Sequence, residues 1–257
     1  MKQNRSKRIL AEGGVAVGTM VADFRSPEVA AILAAAGFGF FIIDNEHSPY
    51  SLEADHEIVR HARRLGIDAY VRVPDAQYHL IARTLDIGAE GVMVPRVESP
   101  ETVREVVDAV KYPPLGRRGY GVRSIVTEHQ AVSMPQAIEF LNANTMVIVQ
   151  IESAEAVERV SELVAVPGVD VALIGPADLS VSLGLPGEFE HPKMVQAIQR
   201  VIDACDRAGV AAGAHMPNVD LLRFWRQRGM RCLVCSTDSA FMLSAARDCA
   251  NALRDLG

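Results

Sequence analysis

The chemistry this chain can offer is concentrated in a few polar side chains that follow short apolar runs. Glu152 and Asp178 are two of them. Brought together, two carboxylates bind a divalent ion. With water completing the shell they suit Mg²⁺ or Mn²⁺, and Co²⁺ is a further candidate. The competing expectation is that Glu152 caps the following helix and Asp178 caps a turn. Asp44 and His47 stand close together after another apolar run. An acid that accepts from one ring nitrogen fixes the tautomer and raises the basicity of the other, which makes a general base. A structural histidine is the alternative. Arg72 closes an apolar run in Val-Arg-Val-Pro. Its permanent charge and forked donors suit a carboxylate or a developing oxyanion, or equally an ion pair with Asp44 or Glu46. Arg96 reads as an ion-pair partner.

Other chemistry is excluded. The only lysines are Lys2, Lys7, Lys111 and Lys193, and none lies in an apolar run. A Schiff-base mechanism needs a desolvated amine, so that route is closed. No Gly-x-Ser-x-Gly elbow occurs, which removes one class of serine hydrolase. Cys232 and Cys235 form a lone C-x-x-C. On a strand such residues face opposite ways, so they read as packing rather than a metal site. Gly116-Arg-Arg-Gly-Tyr-Gly121 reads as a loop bordering the site, the alternative being a plain glycine turn.

These side chains need elements that gather them. Strands are predicted at residues 15–21, 38–43, 69–73, 91–94, 146–151, 169–174, 210–214 and 231–234. Their apolar runs lack period-2 alternation, the pattern of strands buried on both faces of a parallel sheet. Ser26-Pro27-Glu28 and Ser99-Pro100-Glu101 each open a helix with a cap residue, a first-turn proline and an acid. Further helices are predicted over 52–65, 77–87, 135–142 and 154–163, and in the stretch ending at 208. Residues 111–135 and 175–191 read as long loops.

The result is eight strand–helix units with no composition shift between them. That predicts an α/β fold, a (β/α)8 TIM barrel spanning residues 1–257 as a single domain. A doubly wound open sheet is the runner-up. It wants a Gly-rich phosphate turn after the first strand, which Gly18-Thr19-Met20-Val21 is not.

A barrel keeps its chemistry at the C-terminal ends of its strands. Those ends carry Asp44, Glu46 and His47, then Arg72, then Arg96, then Gln150 and Glu152. Asp178, His215, Ser236, Thr237 and Asp238 follow. Charge at the ends of buried strands is costly unless the charges face one another or a ligand. The loops after the seventh and eighth strands lack paired glycines, so a sugar phosphate fits poorly.

Composition agrees. The 257 residues are 49% apolar and 23% charged, ample for a core and unlike a disordered chain. A net charge of −6 argues against a nucleic-acid or anionic-membrane partner. The longest apolar run, residues 29–43, is broken by Gly37 and Gly39 and falls short of the roughly 20 residues of a membrane helix. Cys205, Cys232, Cys235 and Cys249 follow no secretory leader, so they read as reduced thiols of a cytoplasmic protein.

Several blocks then carry a resemblance. Ile-Asp-Asn-Glu-His at 43–47, Val-Arg-Val-Pro at 71–74, Ala-Glu-Gly-Val-Met-Val-Pro at 89–95 and Tyr-Pro-Pro-Leu-Gly-Arg-Arg-Gly-Tyr-Gly at 112–121 are similar to the HpcH/HpaI aldolase family. So are Gln-Ile-Glu at 150–152 and Ile-Gly-Pro-Ala-Asp-Leu-Ser at 174–180. The blocks stand in family order across nearly the whole chain.

The resemblance implies a class II, metal-dependent pyruvate aldolase. It implies Glu152 and Asp178 as metal ligands, His47 acting with Asp44 as base, and Arg72 stabilising the enolate. Gln150 and the backbone at Gly175, Pro176, Ala177 and Asp178 would bind the 2-oxo acid. It also implies a homo-oligomer, a hexamer built as a trimer of dimers. Ser48, Tyr50 and Met20 depart from the family pattern and are expected to shape the aldehyde pocket.

The expected reaction is reversible cleavage of a 4-hydroxy-2-oxo acid to pyruvate and an aldehyde, with oxaloacetate decarboxylation as a side activity. The rival within enzymes is a lyase of CoA esters with an adenine site near Arg117, Arg118 and Arg123. The rival outside enzymes is a barrel that binds a keto acid without catalysis.

Overall fold

Each predicted apolar run becomes a strand. The computed structural model describes residues 1–122 and 124–256, so Arg123 lies outside the described residues. The strands are β1 (Ala16–Val21), β2 (Phe40–Asp44), β3 (Asp68–Arg72), β4 (Gly91–Val94), β5 (Met146–Ile151), β6 (Val171–Ile174), β7 (Ala211–Met216) and β8 (Cys232–Thr237). All pair in parallel in chain order, and β8 returns to β1, so the sheet closes into a single (β/α)8 barrel.

Alternation along each strand decides what fills the barrel. Phe40, Ile42, Tyr70, Met93, Ile148 and Leu173 pack into the interior. Their neighbours Phe41, Ile43, Val71, Val147, Val149 and Ala172 face the surrounding helices. Both faces are apolar, which is why the sequence shows no period of two. The pair Cys232 and Cys235 divides the same way, one inside and one toward the helices. Gly213 is required by closeness, since an added Cβ would stand 2.8 Å from Cys232 Cβ across the β7–β8 pair.

The helices begin at the polar residues read as caps. Ser51 accepts from the Ala54 N–H at the head of helix Leu52–Leu65, and Gly66 ends that helix in the left-handed region. Ser99 and Ser153 do the same for helices Pro100–Val110 and Ala154–Val164.

Three features differ from expectation. A short helix, Arg5–Ala11, closes the bottom of the barrel. Lys2 joins Asp68 and Glu90 there, and Lys7 meets Asp170 at 2.9 Å. The stretch read as a loop from residue 175 instead opens at once into helix Pro176–Ser182. The Gly116–Gly121 segment packs outside the barrel and does not border the site. Its Arg118 lies over the Tyr112 ring and pairs with Asp86 at 2.7 Å, and Arg117 pairs with Asp108.

The last helix, Asp238–Arg254, leaves most of its length in solvent. Met242, Leu243 and Leu253 are each about 60% exposed. Where a helix would cover β8 and β1 there is instead an apolar groove of about 470 Å³, lined by Val17, Phe38, Leu222, Leu233, Cys235 and Phe241. Among the described residues no helix is long and apolar enough to cross a membrane.

Candidate functional site

A cavity of about 450 Å³ opens at the C-terminal ends of the strands. His47, Arg72, Gln150, Asp178, His215 and Thr237 are among its lining residues. That volume suits a small ligand. A larger cavity, about 800 Å³, lies outside the barrel wall and is lined by Arg60, Arg63, Arg64 and Arg83 from helices and loops only. The strand-end cavity is therefore the candidate site.

Arg72 is held on three sides. The β2–β3 register sets Asp44 directly beside it. Its Nε donates to Asp44 Oδ1 at 2.8 Å and its Nη2 to Asp44 Oδ2 at 2.6 Å. Nη1 lies 3.0 Å from Glu46 Oε2, and Glu46 in turn pairs with Arg96 at 2.9 Å. Burial works to raise the Asp44 pKa, but the Arg72 hydrogen bonds and charge hold it below the ordinary value.

This changes the place given to Asp44. Its carboxylate serves Arg72 and also accepts the backbone N–H groups of Glu46 and His47. The His47 ring is mostly exposed, and its ion contact is with Glu46 at 3.8 Å. The structure therefore separates Asp44 from the imidazole it was expected to orient: the carboxylate faces Arg72 and the His47 backbone, while the ring turns out toward solvent beside Glu46.

Glu152 does not cap the following helix; Ser153 does. Its Oε1 accepts the Arg96 backbone N–H at 2.7 Å, an arrangement made by the left-handed backbone of Arg96. Burial first, and then the charges of Glu46 and Asp178, push the Glu152 pKa up to about 7. Gly175 presses on the same spot, since a Cβ there would lie 2.6 Å from both Glu152 Oε2 and Gln150 Nε2. Asp178 sits in the first turn of helix Pro176–Ser182 and borders the cavity. The N–H groups of Ala177 and Asp178 belong to the turn that a helix leaves without internal partners. Among the described residues no three His, Cys, Asp or Glu side chains converge on one point. Two carboxylates thus leave most of a cation's shell to water or substrate oxygens.

Some strand-end residues prove structural. Asp238 accepts from the N–H groups of Ala22, Asp23 and Phe24 and tethers the loop after β1. Of the three positions expected to shape the aldehyde pocket, Met20 lines the cavity, whereas Ser48 and Tyr50 do not. The Tyr50 hydroxyl instead donates to the Phe24 carbonyl at 3.0 Å. Arg117 and Arg118, proposed for a CoA site, are paired away from the cavity. His215, visible in the sequence only as a strand-end polar residue, lines the cavity beside the apolar side chains of Met93 and Leu173.

Comparison with known proteins places the chain in one family. The model of the family described as "HpcH/HpaI aldolase/citrate lyase" matches residues 20–245. The chain is 34% identical over 252 residues to a hydroxypyruvate/pyruvate aldolase of Deinococcus radiodurans, covering 98% of this chain and 90% of that protein. It is 34% identical over 214 residues to a 2-keto-3-deoxy-L-rhamnonate aldolase of Salmonella gallinarum, covering 82% and 78% respectively. Among solved structures, an HpcH/HpaI aldolase from Desulfitobacterium hafniense superposes with a TM-score of 0.93 at 37% identity, covering 98% of this chain and 97% of that one.

Proposed function

The chain belongs to the HpcH/HpaI aldolase/citrate lyase family, and from that premise we propose that it is a divalent-metal-dependent aldolase. It reversibly cleaves a 4-hydroxy-2-oxo acid to an aldehyde and pyruvate or hydroxypyruvate. Oxaloacetate decarboxylation passes through the same enolate and accompanies it as a side activity. The observation that carries this reading is the fork of Arg72, fixed by Asp44 and Glu46 at the cavity that Asp178 also borders.

Glu152 and Asp178 fit a hard cation such as Mg²⁺ or Mn²⁺. Both donors are carboxylate oxygens, and a bound cation would offset both the burial and the neighbouring negative charges that push Glu152 up to about 7. A cation held by Glu152 and Asp178 would supply positive charge that stabilises the enolate of the 2-oxo acid. Arg72 adds a permanent charge for the developing enolate oxygen, already oriented before substrate arrives. His47, at the rim, takes the proton from the C4 hydroxyl. The free N–H groups of Ala177 and Asp178 meet the carboxylate of the 2-oxo acid. Met20, Met93 and Leu173 keep bulk water from the enolate.

The test is exchange of pyruvate methyl protons with D₂O. Exchange that is lost on adding EDTA and restored by Mg²⁺ or Mn²⁺ supports the reading, and exchange insensitive to EDTA overturns it.

A homo-oligomer belongs to the same proposal. The exposed apolar face of helix Asp238–Arg254 and the uncovered groove over β8 and β1 lie on one chain. Each supplies what the other lacks, so the helix of a second copy is the occupant that buries both. Trimers of such dimers give the expected hexamer.

A further inference from the structure

β7 sends Ala211 into the barrel interior, and its alternation turns Gly213 and His215 the same way. His215 thereby shares the cavity with Met20, Arg72 and Gln150, the inward-facing ends of the other odd-numbered strands. Met93 and Leu173 complete the walls with apolar surface. Polar groups are few at this depth, so the protonation pattern of each one matters.

One bond fixes that pattern for His215. Its Nε2 lies 2.9 Å from the carbonyl oxygen of Ser236. A carbonyl can only accept, so Nε2 carries the hydrogen. Burial holds the ring's pKa below the ordinary histidine value, and the nearby Arg72 charge adds to this. The Ser236 carbonyl and Asp44 work in the other direction. The ring is neutral, and its Nδ1 keeps a free lone pair.

The anchor is purpose-built rather than incidental. Ser236 adopts a left-handed backbone, φ 57°, where the β1–β8 register slips between Gly18 and Met20. Bulges of this kind re-aim groups next to active sites. The buried hydroxyl of Thr19 also lies 3.3 Å from this carbonyl and 3.4 Å from that of Met20, and its one hydrogen is shared between them. A histidine held this way presents one acceptor and no donor.

We propose that His215 reads a hydroxyl on the donor 2-oxo acid, its Nδ1 accepting from a hydroxyl on the carbon that forms the new bond, so that hydroxypyruvate is preferred to pyruvate. The inference rests on the aldolase reading and refines its substrate. The donor is assigned because His215 is a strand residue in the tier of Arg72 and Gln150, where the 2-oxo acid is held. Phe189, Pro217 and Ala240, which follow the strand ends in the chain, line the rest of the cavity and leave that part to the aldehyde. An acceptor also repels the carboxylate, which directs that end of the acid toward the first turn of helix Pro176–Ser182.

The experiment compares hydroxypyruvate and pyruvate by proton exchange into D₂O, followed by NMR with the Mg²⁺-loaded protein. His215→Phe removes the acceptor and keeps the ring volume. His215→Asn keeps an oxygen acceptor near the Nδ1 position, and His215→Leu serves if the phenylalanine variant does not fold. The ratio of kcat/KM for hydroxypyruvate to that for pyruvate is expected to fall about tenfold in the phenylalanine or leucine variant, the loss of one hydrogen bond. It is expected to recover in His215→Asn.

A ratio within twofold of wild type in the apolar variant overturns the inference. So does a change in preference between glycolaldehyde and acetaldehyde with no change in donor ratio, which would assign the hydroxyl to the aldehyde. Failure of the wild-type protein to exchange either acid overturns the aldolase reading itself, and the inference falls with it.

Discussion

Asp44 and Arg72 face each other across adjacent strands, with two hydrogen bonds of 2.8 and 2.6 Å joining carboxylate to guanidinium. The pair is largely buried, with side-chain exposures of 7% and 10%. Such a fork has one orientation, which is what a charge aimed at a developing oxyanion requires. Asp44→Asn keeps the shape but weakens one of the two bonds and removes the countercharge. Steady-state kinetics should show kcat lowered about 10- to 100-fold, the range for a misplaced catalytic group. Mn²⁺ affinity should stay within about twofold. Arg72→Lys keeps the charge without the fork and should lose a comparable amount. Wild-type kcat in Arg72→Lys would show that charge alone suffices.

Glu152 tests the cation directly. It lies at the end of β5, accepts one backbone N–H and has no arginine on its carboxylate. Glu152→Ala should abolish turnover through loss of the ion. Titration calorimetry with Mn²⁺ is expected to give no measurable binding heat, whereas Arg72→Ala should bind Mn²⁺ yet turn over poorly. Full activity of the alanine variant in metal-free buffer would refute the ligand assignment.

Much of this architecture was legible because the strands are apolar on both faces and the helices start at serines whose hydroxyls accept backbone N–H groups. Helix Arg5–Ala11 was not. It is short, buries only Ser6 and Leu10, and is held by contacts far away in sequence, such as Lys7 to Asp170. Asp44 could be listed as a partner for Arg72 or for His47. Only strand register, which places it opposite Arg72, decides between them. His215 was visible as a polar strand end, but its hydrogen-bonding state depends on a bulge in β8, and no local motif announces one.

Gly175 is a second probe of the site. A methyl group there would lie 2.6 Å from Glu152 Oε2 and 3.1 Å from Glu152 Cβ. The two terminal atoms can swing aside only by leaving their present places, with Gln150 Nε2 also at 2.6 Å, and Glu152 Cβ at 3.1 Å is fixed to the strand end. Gly175→Ala should therefore destabilise the fold by about 1–3 kcal/mol and displace Glu152. Chemical denaturation and Mn²⁺ titration check the two effects separately. A variant of wild-type stability and metal affinity would show that the strand end shifts freely.

Asp55 sets a pH dependence unrelated to catalysis. It is fully buried in helix Leu52–Leu65, with Oδ2 accepting from Asn45 at 2.6 Å and Oδ1 unpaired. Burial raises its pKa from 3.8 to about 6, against the opposing Asn45 hydrogen bond. The folded value lies above the unfolded one, so the favourable contribution is complete below about pH 4 and is lost as pH rises through about 6. The swing is up to about 3 kcal/mol. Asp55→Asn removes the titration. Its stability relative to wild type should therefore rise between pH 4 and pH 7, as measured by urea denaturation. A difference independent of pH would mean that Asp55 is charged throughout.

The uncovered groove makes the last prediction. Helix Asp238–Arg254 exposes Met242 at 62%, Leu243 at 58% and Leu253 at 62%, while Val17 is 44% exposed on the outer face of β1. Contiguous apolar surface of this kind is rare on a monomer and marks an interface. Light scattering of the wild-type protein should give a multiple of 27.8 kDa. Met242→Glu combined with Leu243→Glu should shift that mass downward by placing charge where a second copy packs. Val17→Arg, on the opposing surface, should have the same effect, and circular dichroism of both variants should keep the signal of a folded barrel. If the helix variant dissociates and the groove variant does not, the helix packs elsewhere on the partner. If the wild-type protein is monomeric, the groove and the helix are not each other's partners.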